Sequence, residues 1–132
     1  TLLVDATSGL SAPTQVRKDP NGRYVVLDAN RRALFGLDEK ESRLQAIPTG
    51  TKEPGGFVFQ EDGTMFVTDR AEDELVRIQA NGRSVLAQTG SDHGEIWQPA
   101  GLAIAPDGRL LVMDVGNHRA QAFDAQGALN TN

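Results

Sequence analysis

Apolar residues along this chain come in short runs, such as Tyr24-Val25-Val26-Leu27 and Met65-Phe66-Val67, and turn residues interrupt them before a helix could form. Runs of this length bounded by Gly, Pro, Asn and Asp read as β-strands. The best helical stretch, Ala71 to Ala80, is followed by the turn pair Asn81-Gly82. The pattern therefore predicts an all-β chain with almost no helix.

The runs repeat. Pro13 to Asp28, Pro54 to Asp69 and Pro99 to Asp114 align without gaps. In each, a glycine (Gly22, Gly63, Gly108) stands nine residues after the proline, and an aspartate (Asp28, Asp69, Asp114) stands six residues after the glycine. Successive glycines are 41 and 45 residues apart (63 − 22 and 108 − 63). Asn21-Gly22, Asp62-Gly63 and Asp107-Gly108 predict tight hairpins, because such pairs tolerate positive φ. A polar corner after each aspartate leads to a third strand, at Ala33–Leu37, Leu75–Gln79 and Ala120–Asp124. A fourth follows at Arg43–Ile47 and Arg83–Gln88. Four antiparallel strands in about 40–45 residues describe one blade of a β-propeller. The chain divides into a lead-in at 1–12, a first blade at 13–53, a second at 54–98 and an incomplete third at 99–132.

The third copy carries the most detailed pattern: Pro99, then Ala105-Pro106-Asp107-Gly108, Val112-Met113-Asp114, Gly116-Asn117-His118-Arg119 and Phe123-Asp124. These residues resemble the NHL-repeat family, whose naming letters fall at Asn117, His118 and Leu129. The loop GSDHGEIWQP, Gly90 to Pro99, resembles that family's connection between blades. The first two copies keep the proline, glycine and aspartate anchors but read DANRRA and DRAEDE at the corner. The resemblance implies a propeller fold and, slightly, a secreted or periplasmic setting. It leaves function open, since one fold hosts many activities.

The repeated Asp28, Asp69, Asp114, Gly22, Gly63 and Gly108 are read as structural anchors, each aspartate accepting hydrogen bonds from its own corner. In the third corner, Arg119 is expected to pair with Asp114 and Asn117 to cap the turn. Three blades cannot close a ring, since propellers need at least four. Thr1 to Ala6 resembles the outer strand Arg83–Gln88, and little sequence remains for a fourth strand after Phe123. The chain opens on Thr1, so it is read as processed or as a fragment. Either it belongs to a longer propeller, or two copies form a six-bladed homodimer in which Thr1–Ala6 completes the partner's third blade. The second reading removes exposed strand edges.

Ligands of propellers are expected on the face that carries the corners and the loops between blades. Candidate binding residues there are Trp97, His93, Asp92, His118, Arg119, Arg31, Arg32 and Arg70. Trp97 is the only tryptophan. Ile96 takes the family's apolar position and is expected to point inward, with Trp97 facing solvent as an anchor of the kind common at interfaces. The leading reading is a non-catalytic module that binds a protein, peptide or glycan, with no cofactor and no catalytic residue.

The alternatives are a metal-dependent enzyme, since six-bladed relatives include lyases and lactonases, and a structural fragment without a ligand. Only two histidines, His93 and His118, are present, and no zinc-ligand spacing occurs, so no metal site is assigned. The chain has no cysteine, which excludes disulfides. No apolar run reaches the roughly 20 residues that cross a bilayer as a helix. The net charge is −5. The loop face sets Lys52, Arg31, Arg32, Arg70 and Arg119 against Asp5, Glu53, Glu72, Asp73, Glu74, Asp92 and Glu95. Nucleic acid is therefore not expected to bind tighter than roughly micromolar at physiological salt.

Overall fold

In a computed structural model, residues 9–38, 40, 43–124 and 126 are described. The expected strand at Thr1–Ala6, the strand sought beyond Gln126, and Leu129 lie outside them. The described residues form eleven strands. They are β1 (Pro13–Lys18), β2 (Tyr24–Asp28), β3 (Ala33–Asp38), β4 (Arg43–Ile47), β5 (Pro54–Phe59), β6 (Met65–Asp69), β7 (Glu74–Gln79), β8 (Gly82–Ala87), β9 (Pro99–Ile104), β10 (Leu110–Asp114) and β11 (Arg119–Phe123). They build two four-stranded antiparallel sheets, β1-β2-β3-β4 and β5-β6-β7-β8, and a three-stranded sheet β9-β10-β11. The only helical element among the described residues is a 3-10 turn at Val115–Asn117.

The anchors of the sequence repeat meet in space. Each proline pairs with its aspartate across the first two strands: Pro13 with Asp28, Pro54 with Asp69, Pro99 with Asp114. The ladder is irregular beside each of these pairs. A proline has no N–H to give to a ladder and belongs at a strand start or a bulge.

The first hairpin of each blade is looser than the paired turn residues suggest. Gly22 donates to the Asp19 carbonyl at 2.9 Å while Asp19 donates to Arg23, and the same pattern recurs at Gln60–Thr64 and Ala105–Arg109. Only the glycines have positive φ, 87°, 92° and 90°. The connection is thus a three-residue loop ending on a left-handed glycine, rather than a two-residue turn with both residues left-handed. Asn21, Asp62 and Asp107 keep ordinary φ, and the last two accept the N–H two residues ahead, at 2.9 and 3.1 Å.

Strand alternation sends every second residue to the same side, and this packs blade on blade. Val25, Leu27 and Leu34 of the first blade meet Phe57, Met65 and Val67 of the second. Val58, Phe66 and Leu75 of the second meet Leu102, Leu110, Val112 and Phe123 of the third, with Ala87 and Ile96 closing the cluster. Gly56 allows this approach: a Cβ there would lie 2.9 Å from the Ala100 carbonyl oxygen. Along the first strands of the blades, Arg17 of β1 reaches across to the carbonyls of Phe57 in β5 and Leu102 in β9 at 2.7 and 3.3 Å, tying all three blades together.

Candidate functional site

The three aspartates organise one face. Asp28 is fully buried and accepts the amides of Ser11 and Ala12 from the incoming loop, and of Asn30 and Arg31 from its corner, at 2.6–3.2 Å. Asp69 repeats the arrangement with Lys52 and Glu53 on one side and Ala71 and Glu72 on the other. Each aspartate therefore clamps the loop between blades as well as its own corner. This is why both kinds of loop share a face.

Burial alone would raise the Asp28 pKa. The donated backbone N–H groups of Ser11, Ala12, Arg31 and Asn30 outweigh it and hold the carboxyl below its ordinary 3.8. A depressed folded pKa stabilises the fold above the unfolded value and ceases to do so as pH falls through the folded one. Thermal melts from pH 7 to pH 3 should show wild type more stable than Asp28→Asn at neutral pH, with the gap closing below about 3.8. A gap that stays constant to pH 3 would contradict the clamp.

The third aspartate is served differently. Asp114 takes one amide from the incoming loop, Trp97 N–H at 2.7 Å. Its other donors are side chains: Arg119 Nε at 2.8 Å, Asn117 Nδ2 at 2.9 Å and Gln121 Nε2 at 3.1 Å. The expected Arg119–Asp114 pair is present, whereas Asn117 does not cap the turn's backbone: its amide donates to the Asp114 carboxylate and to the Gly90 carbonyl. Those side chains also hold the long loop. Arg119 donates to the carbonyls of Asp92 and Glu95, Asn117 to Gly90, and Gln121 to Glu95. Gln121 Oε1 accepts the Gly94 amide at 2.9 Å.

Gln121 was not among the candidates, yet a signal existed. It stands 22 residues after its repeat's proline (121 − 99), where the other blades carry the buried apolar residues Phe35 and Val76. A polar residue at a core position needs partners, and the loop supplies them.

The result is a rigid mount for Trp97. Ile96 is fully buried and Trp97 is 47% exposed, as expected of the pair. The indole lies over Gly116, where a Cβ would come within 2.6 Å of ring atom Cδ2. Gly116 also donates its amide to the Trp97 carbonyl at 2.8 Å. Val115, next to Gly116 in the chain, is also exposed. Asp92, His93 and His118 are exposed around this corner.

His118 takes the left-handed conformation, φ 56°, matching Arg32 and Asp73 at the same place in the other corners, both at φ 53°. Its backbone role is therefore a property of the corner rather than of histidine. Arg31 and Arg32 sit at the first corner, where Arg31 donates to Gly9 and stacks 4.3 Å from the Phe35 ring centre. Arg70 sits at the second corner. The structure thus gathers Trp97, Asp92, His93, His118 and Arg119 at the third corner and leaves Arg31 and Arg32 on the first blade and Arg70 on the second. Among the described residues no group of three His, Cys, Asp or Glu side chains could hold a metal ion.

Stacked four-stranded sheets clamped at such corners define a β-propeller segment. Residues 97–123 match the family model of the NHL repeat. NHL-repeat-containing protein 4 of Mus musculus is 24% identical over 124 residues, covering 92% of this chain and 88% of that one. Both likenesses support an NHL-repeat propeller family, and the family model matches the third blade.

Solved structures agree on the fold. A gluconolactonase from Xanthomonas campestris matches with a TM-score of 0.73 at 23% identity, over 98% of this chain and 49% of that one. A virginiamycin B lyase from Staphylococcus aureus matches at 0.70 and 15%, over 90% and 40%. A chain of a nidogen/laminin complex matches at 0.70 and 22%, over 88% and 45%. The chain spans less than half the length of these solved relatives. Two are named for enzymes and one for a binding complex, so the likeness carries the fold alone.

Proposed function

We propose that this propeller segment is a binding module that recognises a protein, peptide or glycan on its loop face, with Trp97 as the anchor. The observation that carries the reading is the mounting of Trp97. An aromatic ring that is half exposed, backed by glycine and fixed through Asp114, is costly to leave in water and offers contact area with little further entropy to lose. The polar groups around it, Asp92, His93 and His118, can supply the hydrogen bonds that orient a ligand.

The single tryptophan makes the test direct, because every fluorescence change on ligand addition reports this residue. Titration with immobilised or soluble peptide and oligosaccharide libraries is expected to find a ligand that shifts Trp97 emission. Trp97→Ala should weaken that ligand at least tenfold, about 1.4 kcal/mol, while leaving the melting temperature within a few degrees. A ligand bound equally well by the Trp97→Ala chain would move the site elsewhere.

A further inference from the structure

The two internal blade interfaces follow one rule. Residues 12, 14 and 21 after each proline face the next blade: Val25, Leu27 and Leu34, then Phe66, Thr68 and Leu75. Thr68, the polar member, uses its hydroxyl to reach the Ala100 carbonyl of the following blade at 2.7 Å. Residues 3, 11 and 13 after each proline face the previous blade: Phe57, Met65 and Val67, then Leu102, Leu110 and Val112. Applied to the two ends of the stack, the rule puts Leu111, Met113 and Ala120 on the onward face of the third blade. It puts Val16, Tyr24 and Val26 on the backward face of the first.

Three of the exposed large apolar side chains fall on these faces, where Val26 is itself buried. Leu111 is 39% exposed, Met113 51% and Val16 62%, while their counterparts at the internal seams are buried. The first blade's backward face also carries a notch of about 270 Å³ lined by Leu10, Pro13, Thr14, Gln15, Val16 and Val26. The equivalent place on the second blade, beside Pro54, Phe57 and Val67, is where Val25 and Leu27 of the first blade pack. Met113 is the third blade's residue at the Leu27 position.

We infer that the onward face of the third blade docks on the backward face of the first blade of a second copy of this chain, repeating the internal seam with Met113 directed at the notch by Val16 and Val26. The seam is heterologous, and a two-fold arrangement makes it twice and closes six blades. The faces joined in this way are those the chain already joins twice between its own blades. This surface is separate from the loop face and requires nothing of Thr1–Ala6.

The test is mass in solution with complementary variants. The 132-residue chain at tens of micromolar is expected to sediment at twice its 14.2 kDa. Met113→Glu and Val16→Lys should each raise the dissociation constant at least tenfold and give folded monomer, checked by circular dichroism. Mixing the two variants should restore a dimer, since one seam then pairs Glu with Lys and the other is native. Because the chain has no cysteine, Val16→Cys and Met113→Cys chains provide a second readout: mixed under oxidation, they should give the cross-linked heterodimer. A native chain that stays monomeric would overturn the inference and leave these faces to further blades of a longer polypeptide. A dimer that tolerates Val16→Lys but not Met113→Glu would also overturn it, by showing third-blade faces paired with each other.

Discussion

Asp114→Ala is expected to destabilise the chain by about 3 kcal/mol, the lower end of the cost of breaking a buried ion pair from one side. The carboxylate is fully buried and serves four donors, three of them side chains. Arg119 is 23% exposed and keeps two carbonyl acceptors, so it regains part of its solvation. The Trp97 amide would lose the acceptor it has here. Asp114→Asn should rescue little: its new N–H₂ would face the donors of Arg119, Asn117 and Gln121. Urea unfolding gives the stabilities, and quenching of Trp97 fluorescence tells whether the mount has loosened. A loss below about 1 kcal/mol, the range of an exposed pair, would show that the corner does not depend on its aspartate.

Phe57→Ala should cost about 3–5 kcal/mol, as for other buried aromatic truncations. Phe57 is fully buried at the seam between the first and second blades, edge-on to Phe59 with ring centres 5.9 Å apart. Its backbone contacts to Gln15 and Arg17 survive the substitution, so the loss isolates packing. Blades couple mainly to their neighbours, and Trp97 belongs to the loop entering the third blade. The first blade should therefore come away first: circular dichroism should begin to fall at lower urea than Trp97 fluorescence. Phe57→Leu, which keeps most of the volume, should lose under about 1.5 kcal/mol and stay cooperative. Coincident transitions at the wild-type midpoint in Phe57→Ala would refute the assignment of this residue to the seam.

Much of the architecture was legible in the residue order. Blade boundaries follow from local chemistry: a proline that can only begin a strand or bulge, a glycine for positive φ, and an aspartate with free acceptors. These act within about a dozen residues, so a single sequence displays them three times. Ile96 in and Trp97 out was legible for the same reason, as neighbours on an extended chain point to opposite sides.

Other properties arise only when distant segments meet. Arg119 reads as the partner of Asp114 in sequence, but its bonds to carbonyls 24 and 27 residues away come only from the fold. Gln121 was overlooked because a lone glutamine in a strand is unremarkable until the loop at Gly94 and Glu95 is found against it. The aspartates were expected to cap their own corners, and their hold on the loop 16–17 residues earlier came from the fold. Sequence by itself determined the blade, because strand alternation and turn chemistry are local. Tertiary structure decided which residues of the loop face are committed to the scaffold, because a hydrogen bond takes up a donor only once its acceptor is brought within about 3 Å.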